Sequence, residues 1–146
     1  MKSLKNLKEV YMASQRFNNK QIIDTQSKEV QQAIRTWFQF AEAESLRFYK
    51  RSFTNQGFTN NALVRWAPRK KQQAWPILVK TGKLLNSIRI LSRGKNYFII
   101  GTDLKYADYH NEGTNRLPQR QFIGESNTLA ANLLAKLDRA IKSVFK

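Results

Sequence analysis

The run Ile88–Gly101, IRILSRGKNYFIIG, carries the clearest strand signal in the chain. β-Branched and aromatic residues fill Ile88 to Leu91 and again Tyr97 to Ile100, and Ser92, Arg93, Gly94 and Lys95 join the two runs. The pattern predicts an antiparallel hairpin whose second strand closes at Gly101. On its C-terminal side, Thr102 to Lys105 leads into Tyr106–Glu125, YADYHNEGTNRLPQRQFIGE, which holds the only histidine of the sequence. Gly113, Pro118 and Gly124 punctuate aromatic residues there, so the stretch is neither a plain helix nor a plain strand. Tyr106 to Glu112 predicts one helical turn, with Gly113 as a left-handed stop. Leu117 to Gly124 predicts a short extended segment, with Pro118 at its start or edge.

Beyond this stretch, Leu129, Leu133, Leu134, Leu137, Ala140, Ile141 and Val144 recur every three or four residues, predicting a helix over 127–145 capped by Ser126 or Asn127. On the N-terminal side of the hairpin, Thr81 is placed to cap a short helical turn starting at Gly82. Trp66, Pro68, Trp75 and Pro76 bracket a basic linker. Arg51 to Asn61, rich in asparagine and broken by Gly57, predicts a loop. Upstream, Val30, Ile34, Trp37, Phe38, Ala41, Phe48 and Tyr49 share one side of an amphipathic helix over 24–50. Residues 1–23 read as a basic arm with Leu4, Leu7, Val10 and Tyr11 as possible anchors. The expected architecture is a single α+β domain over 24–146, a small, mainly antiparallel sheet covered by a long helix in the N-terminal half and a C-terminal helix.

The 146 residues suit one domain, and 41% hydrophobic content supplies a core. With no cysteine there is no disulfide framework, thiolate metal site or thiol nucleophile, and folding inside the cell is the expectation. The basic start lacks the apolar run of a signal peptide. No apolar stretch approaches the roughly 20 residues of a membrane span, so a soluble protein without membrane contact is expected.

The net charge of +16 comes from 26 Lys+Arg against 10 Asp+Glu. Within 61–100 stand Arg65, Arg69, Lys70, Lys71, Lys80, Lys83, Arg89, Arg93 and Lys95, without one acidic residue. Such a block can face DNA phosphates, an acidic protein partner or solvent. The tryptophans beside it suit either base stacking or core packing.

Catalysis finds little support. His110 has Asp108 and Glu112 as sequence neighbours, but residues two apart on a helical turn diverge, so neither orients it. A lone histidine without HxxxH or HxH spacing is a poor metal site, and its plainer reading is a histidine hydrogen-bonded within a structured corner. The Gly82-Lys83 pair is not a phosphate loop, because Ile77 and Leu84 stand where that motif needs glycine and a hydroxyl residue. Arg116 and Arg120 flank Pro118 and can bind a phosphate, a carboxylate or acidic residues of a neighbouring subunit. Tyr106, Tyr109 and Phe122 suit a core or an interface equally.

The order RSFTNQG, RWAP, ILVKTGKLLNSI, a strand ending Ile100-Gly101-Thr102, YADYHNEG and LPQRQFIGES resembles the phage virion morphogenesis family, the Mu-type tail-completion and head-tail joining group. The resemblance spans roughly residues 51–126. It implies a non-enzymatic structural protein without a cofactor, forming a hexameric or dodecameric homo-oligomeric ring at the neck. Portal, other neck or tail-tube proteins would be its partners, the virion its location, and the host cytoplasm its site of assembly. The positions that match are Trp66, Pro68, Thr81, Gly82, Leu84, Ser87, Ile88, Gly101, Tyr106, Ala107, His110, Gly113, Pro118, Arg120, Phe122 and Gly124, carried as fold and assembly positions. The basic 61–100 block lies outside the shared pattern. A DNA-binding module acting through that block is the alternative reading.

Overall fold

The computed structural model describes residues 27–146; the basic arm at 1–23 and the expected helix start at Asp24 lie outside the described residues. Ser27 opens the first helix, α1 (Lys28–Asn55), its Oγ accepting the Val30 N–H at 3.1 Å, with Glu29 near the positive end of the helix dipole. The apolar stripe foreseen from Val30 to Tyr49 continues through Ser52 and Phe53. Arg51 to Asn55 is therefore the last part of α1 and not a loop, because Phe53 extends the buried face by one more turn. Gln56 ends the helix in the left-handed conformation (φ 52°, ψ 43°).

Gly57 begins β1 (Gly57–Thr59), which pairs antiparallel with β2 (Leu63–Arg65). A Cβ on Gly57 would lie 2.5 Å from the Val64 carbonyl oxygen, so the close approach of the two strands is what requires glycine. The helix α2 (Lys83–Ser87) follows an irregular stretch. Gly82 stands at its cap in the left-handed region (φ 68°), and the Thr81 hydroxyl accepts the Lys83 N–H at 3.3 Å. The expected hairpin is β3 (Arg89–Arg93) with β4 (Phe98–Gly101). Its register slips between Ile90 and Ser92, leaving Leu91 as a bulge, and Phe98 and Ile100 turn into the core. Then come α3 (Ala107–Glu112) and α4 (Asn127–Val144).

The fold is α+β, with antiparallel strands packed against a long helix and a C-terminal helix. The strands form two separate two-stranded ribbons. Such a ribbon has marginal stability by itself, and each here leans on α1. Phe38 meets Phe98 edge-on at 5.4 Å, and Phe48 meets Phe58 at 6.4 Å. Leu129, Leu133 and Leu137 of α4 complete the same core, and the Trp37 indole N–H donates to the Leu133 carbonyl at 2.8 Å. Ser126 caps α4 by accepting the Leu129 N–H and donates its own hydroxyl to Thr59, so the cap also fastens α4 to the β1–β2 ribbon.

One expectation of the corner needs correction. Gly113 does have positive φ (77°), but its ψ of 170° is not left-handed helical; a Cβ there would meet the Gln119 backbone nitrogen at 2.8 Å. No strand pairs with Leu117 to Gly124, the expected short extended segment. Side chains do so instead.

Candidate functional site

The segment Arg120–Gly124 runs between α1, α3 and the linker after β2, and its backbone groups are taken up one after another. The Arg120 N–H donates to the His110 carbonyl at 2.7 Å. The Gln121 carbonyl accepts the Trp66 indole N–H at 2.7 Å. The Phe122 and Ile123 N–H groups both donate to Asn111 Oδ1, at 2.9 and 3.0 Å. The Phe122 and Gly124 carbonyls accept the hydroxyls of Ser52 and Tyr49. A buried polar backbone must find partners, and this one finds them in four different side chains and a carbonyl. Burial raises the pKa of the Tyr49 hydroxyl, which keeps it a neutral donor. Phe122 itself packs on Phe53 at 5.3 Å, with Trp66 edge-on to Phe53 at 5.5 Å.

The positions carried by the resemblance fall into distinct roles. Trp66, Leu84, Ile88, Gly101, Ala107 and Phe122 are buried. Gly82 and Gly113 shape turns, Gly124 anchors Tyr49, and the Ser87 hydroxyl donates to Leu84 and pairs with Thr102. Pro118 is exposed. Thr81, Leu84, Tyr106, His110 and Arg120 come together along one open cleft of about 270 Å³. Two members of the basic block, Arg69 and Lys80, line the same cleft with Ile77 and Leu78. The sequence read these as two unrelated sets.

The cleft is rigidly framed. Arg69 donates from Nη1 to the Trp75 carbonyl and from Nη2 to the Pro76 carbonyl, at 2.7 and 2.8 Å. The Gln56 side-chain amide brackets Ile77, donating to its carbonyl and accepting its N–H. Between these clamps Leu78 is held at φ 60°, a conformation non-glycine residues avoid unless their surroundings enforce it. On the opposite side Arg120, only 8% exposed, donates from Nε and Nη2 to the Ala67 carbonyl. Desolvation and then the nearby Arg69 charge lower the Arg120 pKa, while desolvation and then Arg120 lower that of His110.

The hydrogen-bonded histidine expected in the corner is corrected in one respect. His110 is tied in by its main-chain carbonyl, whereas its Nδ1 is buried without a hydrogen-bond partner among the described residues. Its ring stands edge-on to Tyr106 at 6.1 Å, and neither Asp108 nor Glu112 bonds to it. Among the described residues no group of three or more His, Asp or Glu is placed to hold a metal ion. No helix of the described residues is long and apolar enough to cross a membrane.

The rest of the basic block is dispersed in its commitments. Arg93 pairs with Glu42 at 3.1 Å, Arg89 pairs with Asp103, and Arg65 reaches the Asn55 carbonyl. Lys70, Lys71, Lys83 and Lys95 are exposed, and the Lys80 ammonium lies 5.1 Å from the centre of the Trp75 ring. Trp66, buried in the core, has no face to offer a base. Arg116 is exposed, so it and Arg120 do not form one clamp around Pro118. Gln56 and Asn111, which hold the site together, were not singled out from the sequence; the one signal for Asn111 was its place inside YADYHNEG. No family model matches the chain, and no curated protein or solved structure matches it either.

Proposed function

We propose that this chain is a structural subunit of a phage neck, repeated around a closed ring at the head–tail interface and acting in virion assembly. The similarity of residues 51–126 to the virion morphogenesis pattern supplies the reading, and one observation supports it best. The segment from Tyr106 to Leu117 exposes Tyr106, Tyr109 and Leu117 while Asn111 and Arg120 fix its backbone from behind. Apolar and aromatic side chains displayed on a rigid frame have the composition of an interface. Identical subunits that contact head-to-tail through two different surfaces close into a ring when the rotation permits.

Light scattering and electron microscopy test the reading. A hexamer or dodecamer in solution and a ring at the neck of particles are expected. A monomer at every concentration that is also missing from particles would overturn it. A second reading, direct DNA contact, draws on exposed Lys70, Lys71, Lys83 and Lys95, which have no ion-pair partner among the described residues. It requires DNA affinity that falls steeply with salt, with a slope flattened by Lys70→Gln and Lys71→Gln. An absence of retardation at low salt would end it.

A further inference from the structure

The cleft between the Arg69 linker and the Arg120 segment joins a basic rim to an apolar wall. We propose that it is a receptor for an acidic peptide segment of a partner protein, taking one carboxylate together with the bulky apolar side chain beside it. Lys80, Arg69 and Arg120 supply positive charge, and Ile77, Leu78 and Leu84 supply the apolar surface. Donors remain for an anion. Arg120 commits Nε and Nη2 to Ala67, and its Nη1 has no hydrogen-bond partner among the described residues. Thr81 accepts the Lys83 N–H and so keeps its own hydroxyl proton to give, and Lys80 carries three ammonium protons with no carboxylate partner among the described residues.

Three arguments select this occupant. A chain of net charge +16 attracts acidic partners. One wall, of Ile77, Leu78 and Leu84, is apolar, and at about 270 Å³ the cleft lies just below the roughly 300 Å³ at which small-ligand pockets begin. That suits one side chain with its carboxylate, whereas a duplex phosphate cannot enter without its flanking sugars. The frame is already set by Gln56, Arg69 and the enforced Leu78 conformation, so binding needs little reordering. That the partner belongs to the neck rests on the ring reading; the binding chemistry does not.

The test titrates the full chain with a short peptide alternating glutamate and leucine, its glutamine-for-glutamate counterpart, inorganic phosphate and a short DNA duplex. Amide resonances are followed, with light scattering on the same samples. The acidic peptide is expected to shift residues 77–84, 106–110 and 120. Lys80→Glu, at an exposed position, is expected to weaken it about tenfold or more. Arg139→Glu, an equal charge change on the exposed face of α4, controls for diffuse attraction and is expected to leave binding within about twofold. Equal losses in the two variants would overturn the proposal. So would equal binding of the glutamine peptide, phosphate alone matching the acidic peptide, or the duplex displacing that peptide from the same residues. A chain that stays monomeric yet keeps the Lys80 against Arg139 contrast would remove the ring and leave the receptor standing.

Discussion

The β3–β4 hairpin and the Arg120–Gly124 segment are both extended stretches laid against the same helix, yet they are held by opposite means. In the hairpin, backbone pairs with backbone between strands a short turn apart, from Arg93 opposite Phe98 to Arg89 opposite Gly101. In the segment, backbone pairs with side chains, and three of these come from 55, 70 and 75 residues away: Trp66, Ser52 and Tyr49. A ladder of many equivalent bonds tolerates the loss of one side chain. A ladder in which each rung is a different residue does not. The first residue of the segment, Arg120, also lines the basic cleft, so whatever binds there depends on the less forgiving of the two.

The sharpest way to break this contrast is Gly113→Val. At φ 77° and ψ 170° the position suits glycine, and a Cβ would press on the Gln119 backbone nitrogen at 2.8 Å. Strain and overpacking together are expected to cost more than about 3 kcal/mol. Denaturant unfolding and oligomer size should both show it. A variant as stable and as well assembled as the parent would mean that the corner is not rigid.

Next is Asn111→Ala, which strands the Phe122 and Ile123 N–H groups. Two orphaned, partly buried donors are expected to cost about 2–4 kcal/mol. Asn111→Asp, which keeps the accepting oxygen, should lose far less. Ser92→Ala in the hairpin, an exposed site whose ladder bonds are all main-chain, is expected to stay within about 0.5 kcal/mol. Equal losses at Asn111 and Ser92 in urea titrations would erase the distinction.

That distinction also explains what could be read from the sequence. The hairpin, α4 and most of α1 were legible because their partners are near in the chain and repeat with a fixed period. Arg120–Gly124 showed its extended character but not its partners, since nothing local in LPQRQFIG points to Tyr49 or Trp66. The end of α1 was misplaced because Asn55, Gly57, Asn60 and Asn61 signal a loop locally, whereas buried Phe53 carries the helix on to the left-handed Gln56. Its side chain then bonds to Ile77, which is 21 residues away. The cleft was hidden for the same reason. Arg69 and Lys80 looked like surface charge, and Thr81 and His110 like separate motif positions, until the linker folded back along α1.

Tyr49→Phe removes one rung and nothing else. The ring stays in the core, and only the hydroxyl donated to Gly124 at 3.0 Å is lost. About 1 kcal/mol is expected, with no change in the hairpin's amide-exchange protection and faster exchange confined to the corner. Protection lost equally in both regions would show that the segment and the hairpin open as one unit.

The smallest effect is expected at His110, and its direction with pH is informative. The Arg120–Gly124 segment uses the His110 carbonyl, which any residue supplies, so His110→Gln should leave the fold and the ring intact at neutral pH. The imidazole matters only when it takes up a proton, which desolvation and then Arg120 oppose in the folded chain. Because the folded pKa lies below the unfolded value near 6.5, the unfolded chain binds the proton first. The stability held above about pH 6.5 is therefore lost as pH falls through the folded pKa. Glutamine cannot titrate, so its stability should decline less than that of the parent between about pH 7 and pH 5, a small difference at a half-buried site. Parallel curves in urea titrations at the two pH values would mean that water reaches the ring freely. In that case only the carbonyl of His110, and not its side chain, belongs to the corner.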